Sequence, residues 1–438
     1  MKSKTILVEK MVNGGYGLAR LHDGQVILLQ NSLPGEEVLY SVDAQKKKTL
    51  FGRVDAIVSR KNSARVTPPC PYYGRCGGCD LQHCSYPEQV QLKKEILEEL
   101  FAAFPVTVPP FVPSPEQFGY RQRIRLQLRN DKIGFYAFRS REIAEIEACL
   151  LAHPLINTVL REVSPKKEFH LLCRNSTAVE FLYNPATESV TLLFHYLRPP
   201  RPSDTKTALQ LTEKTESLER IFFQGEKFPL HGPFSSSANH NRESKTFSQT
   251  INDRYNGITH TFLWEVGGFC QVNLRQNQQL VDYVIQKAAP TKNHHLLDLF
   301  CGMGNFSIPL AHSGGSLTGV ESQGAAIRCA AINSMTAGLK NTEFIKGHVD
   351  TVCARLKHQG RIFDTTLVDP PRQGLTDLPP TLAALASHTI LYISCDPSTL
   401  VRDVTALLDL NFQLVEIQPF DMFPQTHHIE TVVILEKN

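Results

Sequence analysis

HHLLDLFCGMGNFSIPLA (residues 294–311) joins an apolar run to a glycine-rich turn and then to the start of a second apolar stretch. The first part reads as a buried strand and the last as the opening of a helix. Gly302 and Gly304 let the backbone between them approach a ligand closely. Asp298 lies at the end of the strand. About twenty residues later GSLTGVE closes a second strand on Glu321, the place where nucleotide-binding α/β folds keep a carboxylate for ribose hydroxyls. FDTTLVD and HTILYIS continue the series. From about residue 264 onward the texture is strand alternating with helix, which predicts a doubly wound, Rossmann-like α/β domain.

The loop lacks the full G-x-G-x-x-G of dinucleotide folds. D-x-x-C-G-x-G with an acidic strand end downstream points instead to S-adenosylmethionine; the alternative is a strand–turn–helix that binds nothing. LVDPPRQG (367–374) sets Asp369 at a strand end before two prolines, a rigid, donor-poor turn. YISCDPSTLVRD places Cys395 directly after another apolar strand, at the sheet edge where ligands bind in such folds. FPQTHHIETVVILE then supplies His427, His428 and Glu430. One activated cysteine and one carboxylate base beside a methyl donor are what methyl transfer to C5 of uracil requires. That carbon is a weak nucleophile until a thiolate adds at C6, and a base must then remove the C5 proton. The target base must also leave its stack to expose its faces.

Upstream of this domain the chain changes character. Residues 1–60 alternate in short apolar runs broken by NGG, HDG and LPG, which predicts a small β-barrel. Lys46, Lys47 and Lys48 fall in its last loop, as a solvated tip or an RNA-backbone contact. CPYYGRCGGCDLQHC (70–84) holds Cys70, Cys76, Cys79 and Cys84, enough thiolates for a self-contained tetrahedral metal site. Ser85 and Glu88 have capping-box spacing ahead of an amphipathic helix extending to about Phe104. In YRQRIRLQLR, Arg121, Arg123 and Arg125 share one strand face, opposite Ile124, Leu126 and Leu128. That face is either simply solvated or available to phosphates. Residues 200–250 read as surface loops and irregular structure.

Of the 438 residues, 42% are hydrophobic and 20% charged, with a net charge of +3. This composition suits a globular chain of two or three domains, and it requires any nucleic-acid contact to come from local patches. MKSKTILVEK shows no secretory signal, and no apolar stretch has the length of a membrane span. Eleven cysteines without a signal favour metal, catalysis or packing over disulfides. The expectation is a cytoplasmic protein.

Together the motifs CPYYGRCGGCDLQHCSY, GGFCQVN, LLDLFCGMGNFSIPLA, LVDPPRQG, YISCDPSTLVRD and FPQTHHIETV resemble, in order, those of the RNA uracil-5-methyltransferases. The resemblance spans residues 70–436. It implies a TRAM-like, RNA-binding barrel at 1–60, a mixed α+β central domain at 61–265 and an S-adenosylmethionine-dependent methyltransferase domain at 266–438. Barrel and cysteines together point to the branch acting on large-subunit ribosomal RNA, with RNA as partner, no membrane association and a monomeric state. The resemblance also implies Cys395 as nucleophile and Glu430 as general base. Donor contacts are implied from Gln271, Phe300, Asn305, Glu321 and Asp369, with His348 and Asp350 left open as one further position. Cys270 stands where the family often has an aromatic residue. Finally, a [4Fe-4S] cluster is implied on Cys70, Cys76, Cys79 and Cys149, in EIEACLLAHP, which leaves Cys84 outside the ligand set. Thiolate ligation alone suits iron–sulfur or zinc.

Overall fold

The computed structural model describes residues 5–60, 63–235, 245–254 and 256–438. The strand read from HHLLDLF is His295–Leu299, and it lies in the interior of a seven-stranded sheet, third from one edge. Ser316–Glu321 and Thr342–Lys346 add on one side, while Phe363–Val368 and Ala386–Ser394 add on the other, all parallel. Glu430–Lys437 then inserts antiparallel between Ala386–Ser394 and Phe412–Phe420. The order reverses between His295–Leu299 and Phe363–Val368. A crevice therefore opens there at the carboxyl edge, where doubly wound sheets bind ligands. Both sheet faces are covered by apolar clusters, which is why the central strands are near-continuous in Leu, Ile and Val.

Residues 5–60 form a six-stranded sheet with a small core of Ile6, Val8, Ala19, Ile27, Leu29 and Val38. Its long hairpin, Glu36–Lys46 with Thr49–Arg60, carries the Lys46–Lys48 run at an exposed tip. A second seven-stranded sheet occupies the middle of the chain. One face of it is packed under the helices Pro154–Val163, Lys167–Cys173 and Pro202–Glu213, with Ile124 and Leu126 pointing into that core as their alternation predicts.

Two sequence expectations are corrected. Residues 200–250 are not mainly irregular: they contain the helix Pro202–Glu213 and the strands Leu218–Gly225, Phe228–Phe234 and Thr246–Asp253, with 236–244 outside the described residues. Their polar composition hid a helix whose buried side is only Asp204, Ala208, Leu211 and Thr212. Ser85 is the N-cap of Tyr86–Leu100, but its hydroxyl makes no cap bond, so no capping box forms. Its carbonyl instead receives the Gln89 N–H, and Pro87 sits in the first turn. This helix joins the core of the C-terminal sheet through Leu92, Ile96, Leu97 and Phe101.

Candidate active site

Strand register brings the predicted pair together. Ser394 pairs with Thr431 at the end of the antiparallel ladder, so Cys395 and Glu430, the next residue on each side, come to the same carboxyl edge, close enough for the Glu430 charge to act on the thiol. Cys395 lies between the strand and the helix Pro397–Leu408, whose first turn Asp396 caps by accepting from Ser398 N–H (2.9 Å) and Thr399 N–H (3.2 Å). Burial pushes the Cys395 thiol up to about 11; the charges of Glu430 and Asp369 add to this, and the Arg372 guanidinium opposes it. Glu430 is buried, and burial followed by the Asp369 charge raises its carboxyl well above the ordinary range. Burial raises Asp369 to about 7.

The glycine-rich turn closes the other side. Phe300 adopts φ 63° and Gly302 φ 57°, and the space where a Gly302 Cβ would stand is open. Glu321 accepts from Gly302 N–H (3.2 Å) and Gln323 N–H (2.7 Å), which fixes its carboxylate at the strand end. Asn305 is held by a reciprocal amide pair with Asn277 (2.9 and 3.0 Å). Gln271 lies half-buried in a segment tied down by Gln122 N–H on Val272 O (3.0 Å) and by the fully buried Asn273. Cys270 is buried in the apolar cluster under this segment, so it acts as packing there. His348 is the N-cap of Val349–His358 and Asp350 lies in its first turn.

Asp298 was not among the predicted contacts, although D-x-x-C-G placed it at the strand end. One of its oxygens accepts from Ser307 Oγ; the other is buried without a partner. Burial, with Asp369 and Glu321 nearby, raises it to about 7. Asp298, Glu321, Asp369 and Glu430 thus form a nest of carboxylates at the crevice. A cationic ligand fits such a nest, since it would discharge the mutual repulsion.

The segment before Glu430 is braced from the far end of the chain. Gln425, at φ 70°, accepts Asp80 N–H and Leu81 N–H on its carbonyl (both 3.1 Å), donates its backbone N–H to Gln89 Oε1 (3.0 Å) and accepts Gln89 Nε2 on its side-chain oxygen (2.9 Å). His427 Nδ1 lies 2.6 Å from Asp80 Oδ2, and buried Lys93 donates to Asp421 (2.7 Å). His428 touches Arg372 (3.2 Å). Burial, with His427 and Arg372 next, lowers its imidazole to about 3, so it is neutral. No local sequence signal reveals these partners, because Arg372 lies 56 residues from His428 and the others lie more than 300 residues from theirs.

Cys70, Cys76, Cys79 and Cys149 line one cavity of about 420 Å³, together with Arg121 and His428. Cys149 is pinned there by Asn157, which exchanges two bonds with its backbone (2.8 and 2.9 Å). Burial and then the neighbouring sulfurs of Cys149 and Cys70 raise the Cys76 thiol to about 11. Among the described residues, no three metal-ligating side chains close around a single ion. Cys84 is elsewhere, buried with Leu81 and Leu92.

The arginine stripe runs along the cysteine cavity, which Arg121, Arg123 and Arg125 all line, but their surroundings differ. Arg121 Nε is buried without a hydrogen-bond partner. Arg123 pairs with Glu180 and donates to Gly268 O (2.8 Å). Arg125 is exposed.

Sheet order, glycine turn and carboxylate edge define an S-adenosylmethionine-dependent methyltransferase of Rossmann-like fold. More narrowly, residues 85–438 match the family described as tRNA (uracil-5-)-methyltransferase, and the chain belongs to that family. It is 32% identical to an uncharacterized RNA methyltransferase of Thermotoga maritima, over 99% of this chain and 98% of that one. It is also 32% identical to the 23S rRNA (uracil(1939)-C(5))-methyltransferase RlmD of Shewanella piezotolerans, over 96% and 93% of the two chains. The fold matches that of Pyrococcus abyssi tRNA (uracil-54, C5)-methyltransferase, solved with S-adenosyl-L-homocysteine, at a TM-score of 0.74 and 24% identity, covering 99% of this chain and 100% of that one.

Proposed function

We propose that this chain methylates C5 of a uridine in large-subunit ribosomal RNA, with Cys395 as nucleophile and Glu430 as base. The observation that carries the reading is the register that brings these two residues to one sheet edge, within electrostatic reach of each other and beside the carboxylate nest. The relatives named for 23S rRNA match over nearly the whole chain at 30–32% identity, against 24% for the tRNA enzyme of similar fold, and this favours ribosomal over transfer RNA. Gln271, Phe300, Asn305, Glu321 and Asp369 are the donor-binding residues in this reading, and Asp298 joins them. When bound, S-adenosylmethionine supplies an electrophilic methyl group on a sulfonium.

The residues act in sequence. The Cys395 thiolate bonds to C6, and the C5–C6 π pair moves into an enolate, which makes C5 nucleophilic toward the methyl group. Glu430 then takes the C5 proton; the double bond reforms and the sulfur–C6 bond breaks. In the free protein Cys395 is held protonated by burial and nearby carboxylates. A cation in the nest, together with Arg372, favours the thiolate, so the nucleophile is activated only in the loaded site.

The 1–60 sheet is read as the TRAM-like RNA-binding unit. The cysteine cavity is read as the seat of a [4Fe-4S] cluster that ties the 70–79 loop to Cys149. Thiols gathered around a shared cavity rather than a point suit a polynuclear cluster better than one zinc ion, and the unpartnered Arg121 Nε suits an anionic occupant.

Transfer of labelled methyl to 23S rRNA and to tRNA transcripts tests the substrate. Product on 23S rRNA alone is expected; product on tRNA alone would move the substrate to the second class. For the cluster, Cys149→Ser should lose the brown iron–sulfur absorbance and Cys84→Ser should keep it.

A further inference from the structure

The central sheet has a second face, away from its helices. Register lays it out in rows. Arg123, Leu182, Thr191 and Arg220 form one row; Arg125, Glu180, Leu193 and Phe222 the next; Gln127, Ala178, His195 and Gln224 the outermost. Leu182, Leu193 and Phe222 are sealed against Phe247 and Trp264 in the apolar cluster shared with the catalytic sheet. The outermost row is left at the rim of that contact. There a cleft of about 430 Å³ is lined by Arg125, Thr177, His195, Leu197, Gln224 and Lys227, among others.

Its chemistry is mixed in a particular way. The Glu180 carboxylate is matched by Arg123 and by His195 Nε2 at 2.6 Å. Arg125, beside it, has no carboxylate in ion-pair range among the described residues and is exposed. Lys227 and Glu226 offset each other at the outer rim, so Arg125 is the surplus charge. The Gln224 amide offers both a donor and an acceptor, the pattern that reads a base edge, and Leu197 lies 66% exposed alongside.

The cleft also adjoins the segment that leads to Gln271. A Cβ on Gly267 (φ 84°) would stand 2.9 Å from Gln224 Oε1, so this backbone lies directly on the cleft wall. Phe269 follows, 59% exposed, and then Gln271 of the donor site. Gln271 lies four positions along the chain from Gly267, a span of at most roughly 14 Å. An exposed ring between a base-reading cleft and the site of chemistry is a stacking platform of the kind single strands use.

We propose that this cleft holds an unpaired nucleotide of the RNA substrate adjoining the target uridine, with its phosphate on Arg125 and its base edge on Gln224 and His195. This rests on the RNA-methylation reading above and adds where flanking sequence is recognised.

The test uses the full-length protein with substrate RNA carrying 4-thiouridine at each position flanking the target. Irradiation should crosslink one flanking position to the peptide spanning 218–228. In steady-state assays Arg125→Ala and Gln224→Ala should each raise the KM for RNA roughly 10-fold, with kcat changed less than about twofold and donor affinity unchanged. Arg125→Ala should also reduce the slope of log affinity against log salt by about one, and Arg125→Lys should restore it. Unchanged KM and salt slope in both alanine variants, with crosslinks mapping elsewhere, would overturn the cleft. If the wild type crosslinks at 218–228 yet transfers no methyl group, the methylation reading fails and the nucleotide site stands.

Discussion

Two groups of buried carboxylates meet opposite fates in this molecule. In the central sheet, burial would push Glu180 up, but the His195 hydrogen bond and the Arg123 charge prevail and hold it below the ordinary range. At the carboxyl edge of the catalytic sheet, burial pushes Asp298 and Asp369 to about 7 and Glu430 well above its ordinary range, with no cation in ion-pair range of these three among the described residues. The chain could supply counter-charges, as Glu180 proves. Withholding them at the crevice leaves the repulsion for a ligand to relieve, and it costs stability in the free protein.

That contrast can be broken at several points. The largest effect belongs to the nucleophile: Cys395→Ala should lower methyl transfer at least about 10⁴-fold, measured in single turnover. Glu430→Gln should keep adding to the ring but fail to release it, so a protein–RNA adduct that resists denaturing gel electrophoresis should accumulate. Full turnover by either variant would place the chemistry elsewhere. Next comes the compensated site. Glu180→Ala leaves Arg123 without its partner carboxylate and should destabilise the fold by about 3–5 kcal/mol in urea unfolding, with donor affinity per folded molecule unchanged. The smallest effect carries the opposite sign. Asp298 releases its proton near pH 7 when folded and near pH 4 when unfolded. Between those values the folded state binds more protons, so stability falls as pH rises through that window and stays lower above it. Asp298→Asn should therefore stabilise the free protein by about 1–2 kcal/mol at pH 8 and by nothing near pH 4, while donor binding weakens. Equal loss of stability from Glu180→Ala and Asp298→Asn would erase the distinction.

Sequence and structure agree where the signal is local or periodic. The strand–turn–helix at 294–311 sits where its apolar run put it, in the interior of the sheet. Ile124 and Leu126 face the core their alternation indicated. What stayed hidden depends on long-range closure or on who else is present. Three arginines on one strand face looked equivalent; all line the cysteine cavity, but only the folded chain buries Arg121 Nε, pairs Arg123 with Glu180 and leaves Arg125 exposed. Ser85 and Glu88 had the spacing of a capping box, yet spacing cannot say whether the hydroxyl turns toward the helix end. The Pro202–Glu213 helix escaped notice because few of its residues need burial. Gln425, His427 and His428 carried a motif, but their partners Asp80, Gln89 and Arg372 are distant in sequence.

Lys93 and Asp421, 328 residues apart, meet only after all the intervening chain has been made. At roughly 5–20 residues per second, the helix Tyr86–Leu100 waits about 15–65 s before its buried ammonium finds a carboxylate and its apolar side finds a sheet. Throughout that interval it offers Leu92, Ile96, Leu97 and Phe101 to whatever is nearby. The brace that aligns the catalytic edge in the finished protein is thus a debt carried through synthesis, and slowing elongation between these positions should increase chaperone association of the nascent chain.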